Sequence, residues 1–483
     1  MTVQGYDPRT ASPVGDPVAT TEPRDVLDIV DRAVHAAPGW AQDADARATA
    51  LHAVADALDA EVDRLVAIAD AETALGVPRL TNEVGRTTGQ LRMFADALRV
   101  GRHQDVIVSP ATDARPDVRR MLRPIGPVAV FAASNFPFAF SVAGGDTASA
   151  LAAGCPVVVK AHEGHPRTSV AVADILRSVL PVGVFELILG RDAGTLLIGL
   201  PGIKAVGFTG SVAGGRALFD YVNKRRDPIP FFGELGSVNP VVVLPGAAAD
   251  AEKIATGYAA SLTMGAGQFC TNPGLLFVPD EPELLNQIAT AVRATTSGPL
   301  LTENIHRGYV ERVAAGTTRV LATGTAGADA WAVTPTVFAT DVIDFLDDFD
   351  DLSEETFGPT GLVVTYSDPK TLLAALKVVP GSLTGTVHAT PADDDLATEV
   401  ADRLRTRVGR LIYNGWPTGV AVCWAMHHGG PWPASTNPAH TSVGVTAIDR
   451  WLVPIAYQDW PEHLLPAALR TANPLAVNQT VQS

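Results

Sequence analysis

The feature that most constrains the fold is a regular alternation of short apolar runs and amphipathic segments. The apolar runs are residues 128–132, 156–160, 185–189 and 205–208. Segments with helical spacing separate them, at residues 144–153, 166–179 and 193–200. Continuous apolar runs of this length are typical of strands buried on both faces, and the helices between them can cross between parallel strands. The pattern predicts an α/β unit with a mostly parallel sheet covered on both faces.

A second alternation follows residue 234 and predicts a second α/β unit. Its strands are expected at residues 241–244 and 275–278, and its helices at residues 248–264 and 282–296. Elsewhere, helical spacing predicts helices at residues 25–74, 82–98 and 441–452, and an apolar run predicts a late strand at 455–458. Ligands of parallel α/β sheets bind at the carboxyl ends of the strands, so polar residues that follow strands are the functional candidates.

Length and charge limit the classes of partner. A chain of 483 residues suffices for roughly two to four structural units. Its net charge of −16 argues against a general polyanion-binding surface, so we expect no nucleic-acid partner, although a local cationic pocket is compatible with it. No apolar run approaches the roughly 18 residues of a membrane-spanning helix, and residues 1–24 lack a signal-peptide pattern. We therefore expect no membrane partner.

The cysteines differ in their surroundings. Three cysteines are too few, and odd in number, for a disulfide framework, which is typical of a protein of the reducing cytoplasm. Cys155 begins an apolar run and is interpreted as structural, and Cys423 as structural or part of a pocket wall. Cys270 lies among Gly, Gln, Thr and Asn, the polar surrounding that a nucleophilic thiol needs. No group of His, Cys and carboxylate residues has metal-site spacing, so no metal is expected.

The most informative strings surround Glu234 and Cys270. Glu234 lies in Phe-Phe-Gly-Glu-Leu-Gly-Ser, and Cys270 follows 36 residues later in Gly-Gln-Phe-Cys-Thr-Asn-Pro-Gly. Together they pair a carboxylate that can act as a base with a thiol that can act as a nucleophile. In order and separation, the two strings resemble the signature segments of the aldehyde dehydrogenase superfamily. The resemblance covers nearly the whole chain and implies NAD(P)-dependent oxidation of an aldehyde to a carboxylic acid.

The resemblance also implies three catalytic roles. The Cys270 thiolate would add to the aldehyde, the thiohemiacetal would lose hydride to a nicotinamide, and water activated by Glu234 would hydrolyse the thioester. Asn135, in Ser-Asn-Phe-Pro-Phe after the first strand, would donate its side-chain amide to the oxyanion. The alternatives are that Asn135 caps the following helix and that Glu234 is a surface carboxylate at a strand end.

Two segments would hold the adenosine and pyrophosphate of the cofactor by the same resemblance. Lys160 and Glu163 end a strand and would bind the adenosine ribose. Because a carboxylate at Glu163 repels a 2′-phosphate, NAD is favoured over NADP. Gly210, Ser211 and Gly215 follow another strand and open a helix, where a pyrophosphate is stabilised.

A later segment, Glu-Glu-Thr-Phe-Gly-Pro, would contact the nicotinamide end. The resemblance assigns the nicotinamide ribose to Glu355 and the ring to Phe357. Packing in the core is the alternative for Phe357.

Three structural parts follow from the resemblance. A Rossmann-like cofactor domain is expected at residues 1–112 and 124–235, and a catalytic α/β domain at 236–436. A small β arm for oligomerisation, with the C-terminal segment, is expected at 113–123 and 437–483. Arms of this kind pair sheet edges between subunits, which implies a homodimer or homotetramer.

Further strings look like those of one subgroup, the 2-oxoglutarate semialdehyde (2,5-dioxopentanoate) dehydrogenases. They are Asn-Gly-Trp-Pro-Thr-Gly-Val at 414–420 and His-Gly-Gly-Pro at 428–431. The implied reaction oxidises 2,5-dioxopentanoate to 2-oxoglutarate, with Arg167, Arg450 and His428 as candidate partners of the substrate carboxylate.

The chain departs from that subgroup at several positions. Asp449 and Val453 replace residues that are often basic, and Glu163 replaces one that is commonly small or neutral. Trp424 adds bulk where a pocket wall is expected. Any substrate or subunit contact made by bases at the first two positions is therefore in doubt.

Three rival functions were weighed. Bacterial fatty aldehyde dehydrogenases share much of the pattern and are the nearest rival. An acylating dehydrogenase that transfers the thioester to coenzyme A generally lacks a base at the Glu234 position. A non-catalytic binding or structural protein on the same fold has no need for Asn135, Glu234 and Cys270 together.

Overall fold

A computed structural model describes residues 1–316 and 318–482, except for the side chain of Arg102. Within that part of the chain, no helix combines the length and apolar character needed to cross a membrane. The secondary structure is mixed α/β and is organised around three sheets of four or more strands. The α/β class predicted from the sequence is confirmed.

Four helices precede the first sheet: Pro23–Gln42, Ala44–Ala60, Val62–Thr73 and Val77–Val100. The sequence predicts one helical stretch over residues 25–74, and the structure corrects this to three helices. Asp43 separates the first two, because its backbone is extended and its carboxylate accepts a hydrogen bond from the Ala46 N–H. Ala74 ends the third helix in the left-handed conformation.

The first sheet has five parallel strands. In spatial order they are Phe231–Glu234, Ala205–Thr209, Val128–Phe131, Val157–Lys160 and Phe185–Ile188. The helices that connect them in sequence are Gly145–Ala153, Pro166–Val179, Arg191–Gly199 and Val212–Asn223. The strands and helices predicted for residues 128–208 are confirmed, with ends shifted by one or two residues. Residues after the carboxyl ends of these strands include Asn135, and Glu234 ends the edge strand.

The second sheet has seven strands. In spatial order they are Arg319–Thr323, Thr336–Asp341, Thr360–Tyr366, Leu275–Pro279, Val241–Val243, Ser382–His388 and Val408–Tyr413. All neighbours are parallel except the first pair. Its helices are Pro245–Ala248, Ala251–Thr263, Pro282–Arg293, Glu303–Ala314, Val342–Asp347, Phe349–Leu352, Pro369–Val378 and Asp394–Leu404. The second alternation is confirmed, and the segment carrying Cys270 joins the helix Ala251–Thr263 to the strand Leu275–Pro279.

The third sheet joins distant parts of the chain. Its strands, in order, are Leu452–Gln458, Val118–Pro124, Val106–Ser109 and Gln479–Val481. The late strand is confirmed and begins earlier than predicted, with Ile455 opposite Met121. The short helix predicted at 441–452 is a 3₁₀ helix of seven residues, Val445–Trp451, so it begins later than predicted. The predicted arm starts at residue 113, whereas Val106–Ser109 already pairs in this sheet; the remaining domain boundaries stay a prediction.

The other regular elements are short. Two-residue strands are Thr2–Val3, Tyr6–Asp7, Ser12–Pro13, Val18–Ala19, Thr296–Ser297 and Thr325–Ala326. Single 3₁₀ turns are Arg102–Gln104, Met264–Gly267, Pro391–Asp393, Glu462–Leu464 and Ala467–Leu469.

Candidate active site

The Cys270 loop begins with an unusual backbone. Gly265, Ala266 and Gly267 have φ values of 56°, 55° and 69°, so three successive residues are left-handed. A Cβ on Gly267 would lie 2.3 Å from the carbonyl of Gly358, so the close approach of these two segments requires glycine. The backbone turn presents Cys270, which is half-buried, immediately after the 3₁₀ turn.

Two asparagines fix the loop from opposite sides. The side-chain amide of Asn239 donates to the carbonyls of Cys270 and Asn272 at 2.8 and 2.9 Å. The amide of Asn135 donates to the Gln268 carbonyl at 3.0 Å, and this residue is buried. Asn135 does not cap the following helix, which begins at Gly145 with Gly144 as its N-cap. The structure therefore brings Asn135 to the Cys270 loop and discounts the capping alternative.

Cys270, His428 and Glu234 form a contiguous row. The Cys270 Sγ lies 3.5 Å from His428 Nε2, and the same nitrogen lies 3.0 Å from Glu234 Oε1. The Ser442 hydroxyl donates a short hydrogen bond to the other oxygen of Glu234. Glu234, His428 and Ser442 are buried, so Glu234 is not the surface carboxylate of the alternative interpretation.

Backbone pairing with the edge strand of the first sheet positions His428 and Ser442. The Leu235 N–H donates to the Ala434 carbonyl at 2.8 Å, and the Thr436 N–H donates to the Gly233 carbonyl at 3.0 Å. The segment 428–442 therefore lies along the strand that ends in Glu234. Backbone pairing of this kind brings His428 and Ser442 to Glu234 from nearly 200 residues away in sequence.

The electrostatics of the row favour a neutral thiol in the resting protein. Burial and the neighbouring carboxylates of Glu234 and Glu355 raise the pKa of Cys270 well above its ordinary value. Burial alone opposes ionisation of Glu234, but His428 and the hydrogen bonds from Ser442 and Cys270 outweigh it and lower the pKa of that carboxyl. Glu234 is therefore the ionised member of the pair, and His428 Nε2 lies close to both groups.

The three groups also meet the distance criterion for a metal site. Among the described residues, ligand atoms of Glu234, Cys270 and His428 all lie within 4.8 Å of one another. The sequence predicted no such cluster because its members are far apart along the chain. All three belong to the row described above.

The predicted adenosine-binding residues lie at the carboxyl end of the first sheet. Lys160 ends its strand, and its Nζ lies 3.4 Å from the half-exposed Glu163 carboxylate. The Ser211 hydroxyl accepts a hydrogen bond from the Gly214 N–H and caps the helix Val212–Asn223. A Cβ on Gly215 would lie 2.1 Å from the Leu235 side chain, so close packing also requires this glycine.

Glu355 and Phe357, the residues predicted to contact the nicotinamide end of the cofactor, share one surface feature. They line an open cleft together with Ser237, Gly267 and Phe269. Burial raises the pKa of Glu355 to about 8. A Cβ on Gly236 would lie 2.3 Å from a Glu355 oxygen, so Glu355 lies against the segment that follows Glu234.

Several other predicted residues have partners elsewhere. Arg450 lines a cavity of about 320 Å³ next to Glu234, but forms a buried ion pair with Asp146 at 2.7 Å. Arg167 packs against Gly15, where a Cβ would lie 2.5 Å from its guanidinium carbon. His428 lies 3.0 Å from Glu234 Oε1, a contact that the sequence did not predict. Its role was missed because the irregular segment around it has no periodic pattern.

The other two cysteines differ in burial. Cys155 is fully buried against the Trp451 carbonyl, in agreement with a structural role. Cys423 is exposed, as is its neighbour Trp424, and its interpretation as structural or part of a pocket wall stays a prediction.

Comparison with known proteins identifies the family. The model of the aldehyde dehydrogenase family matches residues 1–437. The chain belongs to the aldehyde dehydrogenase family. It is an oxidoreductase that acts on aldehydes with a nicotinamide cofactor.

Two relatives of this aldehyde dehydrogenase share a subgroup name. The alpha-ketoglutaric semialdehyde dehydrogenase 2 of Azospirillum brasilense is 44% identical, over 99% of this chain and 95% of its own. The alpha-ketoglutaric semialdehyde dehydrogenase of Acinetobacter baylyi is 42% identical, over 90% and 86%. The suspected subgroup therefore agrees with these similarities.

A solved structure supports the fold. A variant of aldehyde dehydrogenase C from Pseudomonas syringae, in complex with NAD+ and octanal, superimposes with a TM-score of 0.82. It is 22% identical, and the match covers 95% of this chain and 93% of that one. The fold of this aldehyde dehydrogenase is thus that of the family.

Proposed function

We propose that the chain oxidises 2,5-dioxopentanoate, the semialdehyde of 2-oxoglutarate, to 2-oxoglutarate. The observation that carries the chemistry is the row in which His428 Nε2 lies 3.5 Å from the Cys270 thiol and 3.0 Å from Glu234. The substrate is supported by two relatives of that name at 44% and 42% identity.

The first step is formation of the thiohemiacetal. The Cys270 thiol loses its proton to solvent as the sulfur adds to the aldehyde carbon. His428 Nε2–H donates to Glu234 at 3.0 Å and lies 3.5 Å from the sulfur, so it holds the carboxylate beside the thiol. The Asn135 amide has a second N–H besides the one bonded to Gln268, and this donor stabilises the oxyanion.

The second half of the reaction releases the acid. A nicotinamide held by Glu355 and Phe357 would supply the hydride acceptor, and loss of hydride from the thiohemiacetal would leave a thioester on Cys270. Glu234, ionised and held by Ser442, removes a proton from the attacking water. His428 fixes the other carboxylate oxygen, so Glu234 has a defined orientation during hydrolysis.

The residues of the cofactor region fit a dinucleotide. Gly210, Ser211 and the following helix N-terminus suit a pyrophosphate, and Gly236 leaves the space that Glu355 occupies beside Ser237. The adenosine end of the cofactor site is assigned to Lys160, Glu163 and Gly215. Its nicotinamide end is assigned to Glu355 and Phe357. Because Glu163 presents a carboxylate to the ribose, we propose NAD as the preferred cofactor over NADP.

Assembly and location are part of the proposal. We infer a homodimer or homotetramer, because strands with exposed apolar side chains lie at the edges of two sheets. We infer the cytoplasm as its location, because the nucleophile and the exposed Cys423 are both free thiols.

The test is NAD(P)H formation with purified protein. The substrates are 2,5-dioxopentanoate, succinic semialdehyde, glutaraldehyde, hexanal and decanal, each with NAD and with NADP. A kcat/KM that strongly favours 2,5-dioxopentanoate supports the proposal. Preference for decanal would assign the chain to the fatty aldehyde branch, and inactivity on every aldehyde would favour a non-catalytic role.

The Glu234→Gln variant tests the mechanism. We expect a burst of NADH followed by a steady state slowed about 10²- to 10⁴-fold, because the variant forms the thioester but cannot activate water. Equal slowing of the burst and the steady state would contradict the role of Glu234 in hydrolysis. Cys270→Ala should abolish both phases while the melting temperature stays close to that of the wild type.

A further inference from the structure

One helix presents a row of three charged side chains to the active-site segments. Arg79, Glu83 and Arg86 lie on the helix Val77–Val100 at spacings that place them on one face. Their neighbours are aromatic residues of the two segments that carry Asn135 and Cys270. These three side chains of the helix therefore lie beside the segments of the nucleophile and the oxyanion-binding amide.

Two members of the row have structural partners. Arg79 donates to the Asn135 carbonyl at 2.8 Å, and its guanidinium carbon lies 5.1 and 5.0 Å from the ring centres of Phe136 and Phe269. Glu83 accepts hydrogen bonds from the N–H groups of Phe138 and Ala139 at 2.8 and 2.9 Å. Both residues therefore hold the active-site segments in place.

Arg86 differs from its two neighbours. Its guanidinium carbon lies 5.3 Å from the ring centre of Phe140, whose ring lies 6.3 Å from that of His428. Arg86 Nε and Nη2 are buried, and among residues 1–316 and 318–482 neither atom has a hydrogen-bond partner. The charged groups that act on Arg86 are Glu83, Cys270 and Glu234.

The other cations of the region have partners. Arg410, which also acts electrostatically on Cys270, donates to the carbonyls of Pro417 and Gly419. Arg450 is paired with Asp146. Arg79 Nη1 and Arg410 Nε also lack a partner among the described residues, but Arg86 leaves two donors unpaired, Nε and Nη2, which form one edge of the guanidinium and can bind both oxygens of a carboxylate.

A buried guanidinium without hydrogen bonds is unfavourable, and a carboxylate is the planar anion that matches its donors. We propose that Arg86 binds the carboxylate of the substrate and so selects short ω-aldehyde acids over uncharged aldehydes. The inference rests on the proposed function, which supplies the substrate with that carboxylate. The guanidinium of Arg86 lies over the rings of Phe136 and Phe140, which form an apolar wall beside it.

The experiment compares kcat/KM for 2,5-dioxopentanoate with kcat/KM for pentanal, which has the same chain length and no charge. In Arg86→Gln, we expect the ratio of the two to fall about 10- to 100-fold, the loss of a hydrogen bond to a charged group. Inhibition by the product 2-oxoglutarate should weaken in parallel. Arg86→Lys should recover part of the ratio, because it keeps the charge without the planar donors.

Arg92→Gln is the matched control, because Arg92 lies on the same helix and pairs with Asp56 and Asp59 at the surface. It removes the same charge and should leave the ratio unchanged. Arg86→Met, which keeps the aliphatic stem against the rings, serves if Arg86→Gln does not fold. A wild-type preference for 2,5-dioxopentanoate that survives in Arg86→Gln or Arg86→Met would overturn the role of Arg86. A wild type without that preference would instead overturn the proposed substrate.

Discussion

At the scale of single residues, the catalytic thiol is held neutral by its surroundings. Burial and the charges of Glu234 and Glu355 raise its pKa, so few molecules carry a thiolate at neutral pH. The nucleophile is thereby protected from oxidation until a base takes its proton. His428 Nε2 lies 3.5 Å from the sulfur.

This arrangement predicts the alkylation rate of the cofactor-free enzyme. The rate at which iodoacetamide labels Cys270 should continue to rise at pH values where an ordinary thiol is already fully ionised. In Glu234→Gln the loss of a neighbouring negative charge stabilises the thiolate, so the pKa should fall and labelling at pH 8 should become several-fold faster. Peptide mass spectrometry gives the rate at Cys270, with the exposed Cys423 as internal reference. An unchanged or slower rate in the variant would contradict the electrostatic argument.

Glu355 is a buried carboxyl that titrates near physiological pH. Burial raises the pKa of Glu355 to about 8, so its carboxyl is mostly neutral at pH 7 and ionised at pH 9. Only the ionised form accepts hydrogen bonds with both oxygens, and ribose hydroxyls are donors. The Kd for NAD, measured by fluorescence quenching, should therefore decrease as pH rises through about 8 in the wild type. Glu355→Gln should bind NAD more weakly and with a flatter pH profile; an identical profile would exclude Glu355 as the group responsible.

At the scale of elements, the sequence was sufficient where the periodicity of apolar residues changes. Strands such as Val128–Phe131 were predicted because all of their side chains are buried, and the resemblance placed Asn135, Glu234 and Cys270 at one site. Helix ends were harder to predict. The apolar spacing continues through residues 25–74, and only the cap at Asp43 and the left-handed Ala74 divide it.

Contacts between distant polar residues left no pattern in the sequence. His428 and Ser442 reach Glu234 because the irregular segment between them pairs with an edge strand. Arg86 occupies a helical position whose spacing marks it as near the core, but nothing in that spacing distinguishes an arginine beside a pocket from one at the surface. In the proposals above, His428 belongs to the catalytic mechanism and Arg86 to the choice of substrate.

An edge strand makes assembly testable. Val408–Tyr413 ends the second sheet and exposes Leu411 and Tyr413, at 44% and 59% of their full areas. An apolar edge of this kind pairs readily with another chain. We therefore expect Leu411→Lys to shift the protein from an oligomer toward the 50.5 kDa monomer in light scattering after gel filtration. Val182→Lys is the control, because Val182 is 84% exposed and lies outside any strand. Equal effects of the two variants, or none, would argue against this edge as the contact.

At the scale of the whole molecule, catalysis depends on the relative position of two sheets. Asn135 and Glu234 follow or end strands of the first sheet, whereas Cys270 precedes a strand of the second. The segment 428–442 follows the last strand of the second sheet and pairs with the first. The predicted cofactor residues are divided in the same way, with Lys160 and Glu163 on one side and Glu355 and Phe357 on the other. A dinucleotide bound to all of them would stabilise the relative position of the two sheets that brings Cys270, His428 and Glu234 together.

This division predicts a cofactor-dependent melting temperature. NAD at about 100 times its Kd should add about 2.7 kcal/mol to the free energy of unfolding, provided that it binds only the folded state. At the same concentration NADP should stabilise less, because Glu163 repels its 2′-phosphate. Glu163→Thr should narrow the difference between the two cofactors in differential scanning fluorimetry, whereas Glu399→Thr, which removes an exposed carboxylate from the helix Asp394–Leu404, should preserve it. If the difference is the same in both variants, the preference for NAD arises from another part of the site and the role of Glu163 fails.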